Sequence, residues 1–251
     1  MPRCPALRHV GSMNLPDSEI VILPGAPAGH SGECQVQWRP TARARQVSLR
    51  ICPRQGAVVV VLPPRAGRRA GMALLQANGS WVLDRLAALA PPTPLVDGGR
   101  ITIGGRDILI RHEEEARGGA FLDGRDLIVT GDPAFLPRRV ADFLRAEAKR
   151  RITALVGPHA TRLGATPRGI LIKDTHTRWG SCAPDGTLAF SWRLVMAPAW
   201  VLDYVVAHEV AHLREMNHSA RFWALVARLT PHREAAVAWL RAHGPRLLRV
   251  G

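Results

Sequence analysis

Between Cys34 and Leu62 the pattern of apolar residues is strand-like. Val47, Leu49 and Ile51 alternate with polar neighbours, and Ala57–Leu62 is a short run of mainly β-branched residues closed by Pro63 and Pro64. Period two puts alternate side chains on one face, so residues 34–62 read as strand-like. Residues 68–90, including Trp81-Val82-Leu83, read as a helix that Pro91 and Pro92 stop. Ile101/Ile103, Ile108/Ile110 and residues 127–129 predict three further short strands. Gly104-Gly105 and Asp123-Gly124 mark the turns, the first being a good hairpin signal.

The pattern changes near Pro133. Residues 136–156 place Val140, Phe143 and Leu144 on one side of a long helix with charged positions opposite. Ile170-Leu171-Ile172 and residues 187–192 predict buried strands. Residues 198–216 predict an apolar helix with Pro198 in its first turn, and two more helices follow near 219–229 and 231–243. The expected layout is therefore 1–32, a poorly ordered lead-in rich in proline and glycine; 33–132, a β-rich portion with one helix; and 133–251, a second domain. The class is α+β. No internal repeat is visible in the sequence.

Composition narrows the field. With 47% hydrophobic and 22% charged residues among 251, disordered and fibrous classes are excluded. The longest aliphatic run, Ala57–Leu62, falls far short of the ~20 residues a membrane span needs. Pro24 and Gly25 end residues 20–23 before they reach the ~7–15 apolar residues of a secretory signal. Four scattered cysteines without a CxxC pair suit a reducing compartment, so the expected location is the cytoplasm. Charge is less ordinary. Lys+Arg number 34 against 20 Asp+Glu, a net +14, and all but Lys149 and Lys173 are arginine. Such a field attracts nucleic acid or acidic partners; an arginine bias spread over a solvated surface is the plainer explanation.

The chemistry is concentrated in His208-Glu209-Val210-Ala211-His212. In a helix, residues four apart are separated by about 400° and leave the same face, so His208 and His212 supply two of the nitrogen ligands that Zn²⁺ prefers. Glu209 lies about 100° further round. From there it can reach a water held by the metal and serve as general base. A third ligand is needed. His218 fits if the chain turns at Met216-Asn217, with Asn217 left-handed, and restarts a helix capped by Ser219. Glu234, 21 residues beyond His212, competes, at the spacing where gluzincin-type enzymes place a glutamate. Glu215 reads as a solvated partner of Arg214 or Arg221. The metzincin pattern is not met, because position 215 is not glycine and no methionine follows Met216.

Four blocks extend the motif: Thr177-Arg-Trp-Gly-Ser-Cys182, Ser191-Trp-Arg-Leu194, Tyr204-Val-Val-Ala-His-Glu-Val-Ala-His-Leu213 and Asn217-His-Ser-Ala-Arg-Phe-Trp223. In order and spacing they resemble the YgjP-like metallopeptidase-domain family, kin of SprT-like proteases, over roughly residues 35–245. Ser191 and Ala183 stand where many relatives carry Asn and Ser. The resemblance implies one zinc ion held by His208, His212 and His218, Glu209 as catalytic acid/base, and a zincin-like α+β core acting on peptides or proteins. Arg178, Tyr204 and His176 are candidates for holding substrate or supporting the site; Trp179, Trp192, Phe222 and Trp223 read as core aromatics, and Cys182 as a small buried thiol. A second reading is a nucleic-acid-associated basic module carrying a tethered SprT-like protease or a structural zinc site.

Overall fold

The structure is a computed structural model, and it describes residues 16–24, 31–175 and 178–251. Compactness divides the chain into Met1–Ala88 and Leu89–Gly251. The class is α+β, with three small sheets and six α-helices among the described residues.

The first unit contains strands β1 (Ser18–Ile22), β2 (Glu33–Pro40), β3 (Ser48–Cys52) and β4 (Ala57–Leu62), then helices α1 (Arg68–Ala77) and α2 (Gly79–Ala87). The sheet order is β1-β2-β4-β3; β2 and β4 run parallel and the outer pairs are antiparallel. Val36, Trp38, Val58, Val60 and Leu62 form one apolar face and pack with Leu75 and Val82. At Gly71 the backbone of α1 lies directly on this face, since a Cβ there would stand 2.6 Å from the Trp38 ring. Strand β1 falls inside the segment expected to be a poorly ordered lead-in. Only Val21 of its alternating residues is buried while Ile20 and Ile22 are exposed, so its pattern is too short to show a period. The single helix expected over 68–90 is two, which meet at Asn78. There Nδ2 of Asn78 donates to the Leu74 carbonyl at 2.8 Å, the local competition that lets asparagine end a helix.

The second unit begins with β5 (Arg100–Ile103), β6 (Arg106–Glu113), β7 (Ala120–Asp123) and β8 (Asp126–Thr130), followed by α3 (Leu136–Leu163). Its order is β5-β6-β8-β7, again with a parallel central pair and antiparallel flanks. The first sheet's topology is thus repeated, although no sequence repeat marks it. The β5–β6 hairpin needs positive φ at both central residues, and Gly104 (62°) and Gly105 (77°) supply it. Strand β7 escaped the hydrophobic pattern because its Phe121 and Leu122 are adjacent and both exposed.

Helix α3 buries Val140, Leu144, Ala148, Ile152, Val156 and Ala160, a stripe of every fourth residue. It continues past the expected end near 156, through Pro158, and stops at Gly164 in the left-handed conformation. This stripe shares one core with Ile110, Leu127 and Val129 of the sheet and with Phe190, Val206 and Val210 further on. The core therefore joins residues on both sides of Pro133, where the sequence pattern changes. A smaller sheet follows, formed by β9 (Gly169–Lys173), β10 (Gly180–Cys182) and β11 (Thr187–Ser191) in the order β10-β11-β9. In β9, expected to be buried, Leu171 is exposed and Ile170 and Ile172 are half-buried. A short 3-10 turn leads to α4 (Ala199–Ala211), α5 (Ala220–Leu229) and α6 (Arg233–Leu247). Among the described residues no helix is long and apolar enough to cross a membrane.

Candidate metal centre

Helix α4 is apolar on nearly all sides and sits deep in the core, with Val201, Val206, Ala207, Val210 and Ala211 fully buried. It ends sooner than the sequence pattern predicts. His212 is its C-terminal boundary, and the chain turns at once over residues 212–214. Asn217 is not left-handed, because among the described residues only glycines have positive φ. The early turn has a consequence for His212. Its Nδ1 lies 3.0 Å from the Glu215 carbonyl oxygen, which can only accept, so Nδ1 carries the proton and the Nε2 lone pair is left available.

Ser219 caps α5 through Oγ, which accepts from the Phe222 amide at 3.3 Å. This holds His218 in the corner between α4 and α5. Ring centroids of His208, His212 and His218 lie 4.8–5.0 Å apart, and one ligand nitrogen from each falls within 4.8 Å of the others. The Nε2 atoms of His208 and His218 stand 3.1 Å apart. Two nitrogens on one tetrahedral zinc at ~2.0–2.1 Å would stand about 3.3 Å apart, so the pair is already at ligand spacing. Fully buried Phe222 stacks on His212 at 4.4 Å, and Trp223 stacks on His218 at 5.6 Å. The Arg233 guanidinium lies 3.5 Å from the Trp223 ring centre. These aromatics, expected only to anchor the helix, also fix the imidazole planes. Burial, then the neighbouring imidazoles, lower the pKa of His208 to about 4; burial also lowers that of His212. Both are neutral near pH 7, the form that binds a metal. The donor set and its spacing fit a zinc-type ion.

Glu209, next to His208 in the chain, is buried, with 6% exposed. Burial raises its pKa to about 7, with the Arg178 charge pulling the other way. Gly180 on the edge strand β10 makes room for it: a Cβ there would lie 2.6 Å from both Cγ and Oε1 of Glu209. The sequence signal for Gly180 was its place in the Arg-Trp-Gly-Ser-Cys block. Tyr204 is buried and meets His208 edge-on at 6.0 Å. A cavity of about 260 Å³ beside Glu209 is lined by Trp179, Tyr204, Val205, Val237 and Leu240. A second, of about 410 Å³, lies beside His212 and includes Cys182, Asp185 and Met216.

The other predicted residues divide. Arg178 is exposed, while Asp174 pairs with Arg193 and Asp203 with His159 at 2.8 Å. His176 lies outside the described residues. Glu234 is exposed in the first turn of α6 and is not among the grouped metal-capable side chains. Cys182 is half-buried, and burial followed by the Glu209 and Asp185 charges raises its pKa, so it is a thiol near neutrality. One residue's role was not foreseen from the sequence. Arg193, with no exposed surface, pairs with Asp174, donates to the Val250 carbonyl at 3.1 Å and stacks on Trp192 at 4.3 Å. It thereby fastens one end of the loop that leads to Arg178 and Gly180. Its sequence signal was its place in the Ser-Trp-Arg-Leu block.

The family comparison now bears on this geometry. Residues 45–243 match the model of the YgjP-like metallopeptidase domain, so the chain is a metallopeptidase-domain protein. It belongs to the YgjP-like family. The chain is also similar to the crystal structure of the metallopeptidase zymogen of Pyrococcus abyssi abylysin, with a TM-score of 0.33 and 21% identity over 37% of this chain and 92% of that one. No curated protein matches it.

Proposed function

We propose that this protein is a zinc-dependent peptidase with a zincin-like core, in which His208, His212 and His218 hold one zinc ion and Glu209 is the catalytic acid/base. The observation that carries this reading is the convergence of three imidazole nitrogens beside a buried carboxylate on the same helix. Bound zinc supplies a Lewis acid that polarises the substrate carbonyl and acidifies water. The chain's own residues do the rest. Glu209, with a pKa of about 7, is matched to taking a proton from the attacking water and passing it to the leaving amine. Tyr204, one turn before His208, supports that imidazole. Exposed Arg178, at the entrance to β10, is placed to hold a substrate carbonyl or carboxylate. The substrates are peptides or proteins. Free Cys34, Cys52 and Cys182 suit a reducing compartment such as the cytoplasm.

The test is casein cleavage by zinc-loaded wild type and Glu209→Gln. Glu209→Gln is isosteric and retains the metal ligands, so zinc content is unchanged while cleavage falls roughly 10²–10⁴-fold. Equal cleavage by both proteins would remove Glu209 from the chemistry.

A further inference from the structure

Between Cys34 and Leu83 the chain contains eight arginines and no aspartate or glutamate. A general preference for arginine over lysine does not account for this, because such a preference leaves acidic residues in place. Residues 1–88 carry eleven arginines against four acids, a net +7, whereas residues 89–251 carry the same net +7 over nearly twice the length.

The fold gathers much of that charge at one end of the first sheet. Strands β2 and β4 are parallel, and Pro40 is level with Leu62 at their C-terminal ends. The β2–β3 connection and the β4–α1 connection therefore leave the sheet side by side, joined where the Thr41 amide donates to the Leu62 carbonyl at 2.9 Å. Arg39 lies at the end of β2, the first connection contributes Arg43 and Arg45, and the second contributes Arg65 and leads to Arg69 on α1. All five are exposed, and none is ion-paired among the described residues. Two acids stand nearby: Asp17, whose carbonyl oxygen accepts from the Trp38 amide at 3.3 Å, and Glu19, which accepts from Arg68 twice at 2.8 Å and from Trp38 Nε1 at 2.8 Å. That arrangement braces the base of the cluster without neutralising its rim.

Stability does not explain this placement. Arg68 and Arg69 occupy the first turn of α1, which has no acidic residue, although the helix dipole favours anions there. Self-repulsion among five like charges adds to the cost.

We propose that this end of the first unit is a docking surface for nucleic acid, which it holds through the phosphate backbone. Guanidinium groups match phosphate oxygens two hydrogen bonds at a time, and clustered arginines that outnumber the carboxylates beside them form the electrostatic footprint of a backbone reader. The contact is independent of base sequence.

Binding of a mixed-sequence DNA duplex to the full-length protein tests this as a function of salt. Five neutralised phosphates give a slope of log K against log salt of about −4.5, or roughly a 500-fold loss of affinity between about 50 and 200 mM. Arg43→Ala/Arg45→Ala/Arg65→Ala lowers the slope to about −2. Arg221→Ala/Arg228→Ala/Arg241→Ala removes the same net charge from exposed positions of the second unit and leaves the slope unchanged. Circular dichroism verifies that both variants are folded. The proposal is overturned by equal loss of slope in both variants, by poly-glutamate competing as well as the duplex, or by inorganic polyphosphate binding where the duplex does not. Absence of duplex binding at about 50 mM salt overturns it as well. None of these outcomes depends on the peptidase reading.

Discussion

The two four-stranded sheets have the same strand order and the same directions, yet they are put to different ends. In the first, the apolar face is closed by short helices α1 and α2, and its core contains no residue beyond Leu86. In the second, α3 is 28 residues long, and its buried stripe extends past the sheet to the helices that carry the histidines. One supersecondary pattern thus serves once as a closed unit and once as the platform of a metal centre. What differs is the length of the helix that follows and how far its apolar stripe continues.

Core truncation breaks this comparison most forcefully. Leu75→Ala in α1 and Ile152→Ala in α3 each remove a side chain with no exposed surface, at a cost of about 2–5 kcal/mol. Ile152→Ala is expected to weaken zinc retention under mild denaturant, and Leu75→Ala to leave it unchanged. Denaturant titrations that follow tryptophan fluorescence and zinc release together give the answer. Equal zinc loss in both variants would mean that the first core supports the site.

A smaller effect sharpens the account inside the second unit. Gly180→Ala forces a Cβ against Glu209, whereas Gly169→Ala, in the strand at the opposite edge of the same sheet, meets nothing within 4 Å. The first substitution costs about 1–3 kcal/mol through overpacking and lowers turnover; the second leaves turnover unchanged. Thermal melts and casein assays on the pair measure the difference.

Much of this was legible beforehand. The sequence predicted α4, the paired imidazoles and the Ser219 cap because periodicity and capping are local. The repeated sheet was not legible, since β1 and β7 offer single buried or adjacent exposed apolar residues where a period would need several. The early end of α4 was equally hidden. It depends on the Glu215 carbonyl reaching back to His212 and on no residue type that marks a helix stop. The role of Arg193 was hidden for the same reason, as it lies in a contact with Val250, 57 residues away.

A further predicted effect is on pH dependence in the metal-free protein. Glu209 is raised from 4.5 to about 7, so between those values the folded state binds more protons than the unfolded and stability falls as pH rises. His208 is lowered from 6.5 to about 4, so in that interval the unfolded state binds more protons and stability increases as pH rises. The two largely offset each other between about pH 4.5 and 6.5. Glu209→Gln removes only the first contribution. Its stability relative to wild type is therefore expected to grow from pH 5 to pH 8, read from urea midpoints in the presence of chelator. A constant difference would mean that Glu209 ionises normally in the folded protein.

The account stands most directly on which side chains hold the metal. Zinc content of purified wild type, His218→Ala and Glu234→Ala, measured after equal dialysis against a weak chelator, decides it. One zinc per chain in wild type and in Glu234→Ala, with loss in His218→Ala, is the predicted result. Zinc retained in His218→Ala and lost in Glu234→Ala, or no zinc in metal-replete wild type, would contradict the three-histidine centre.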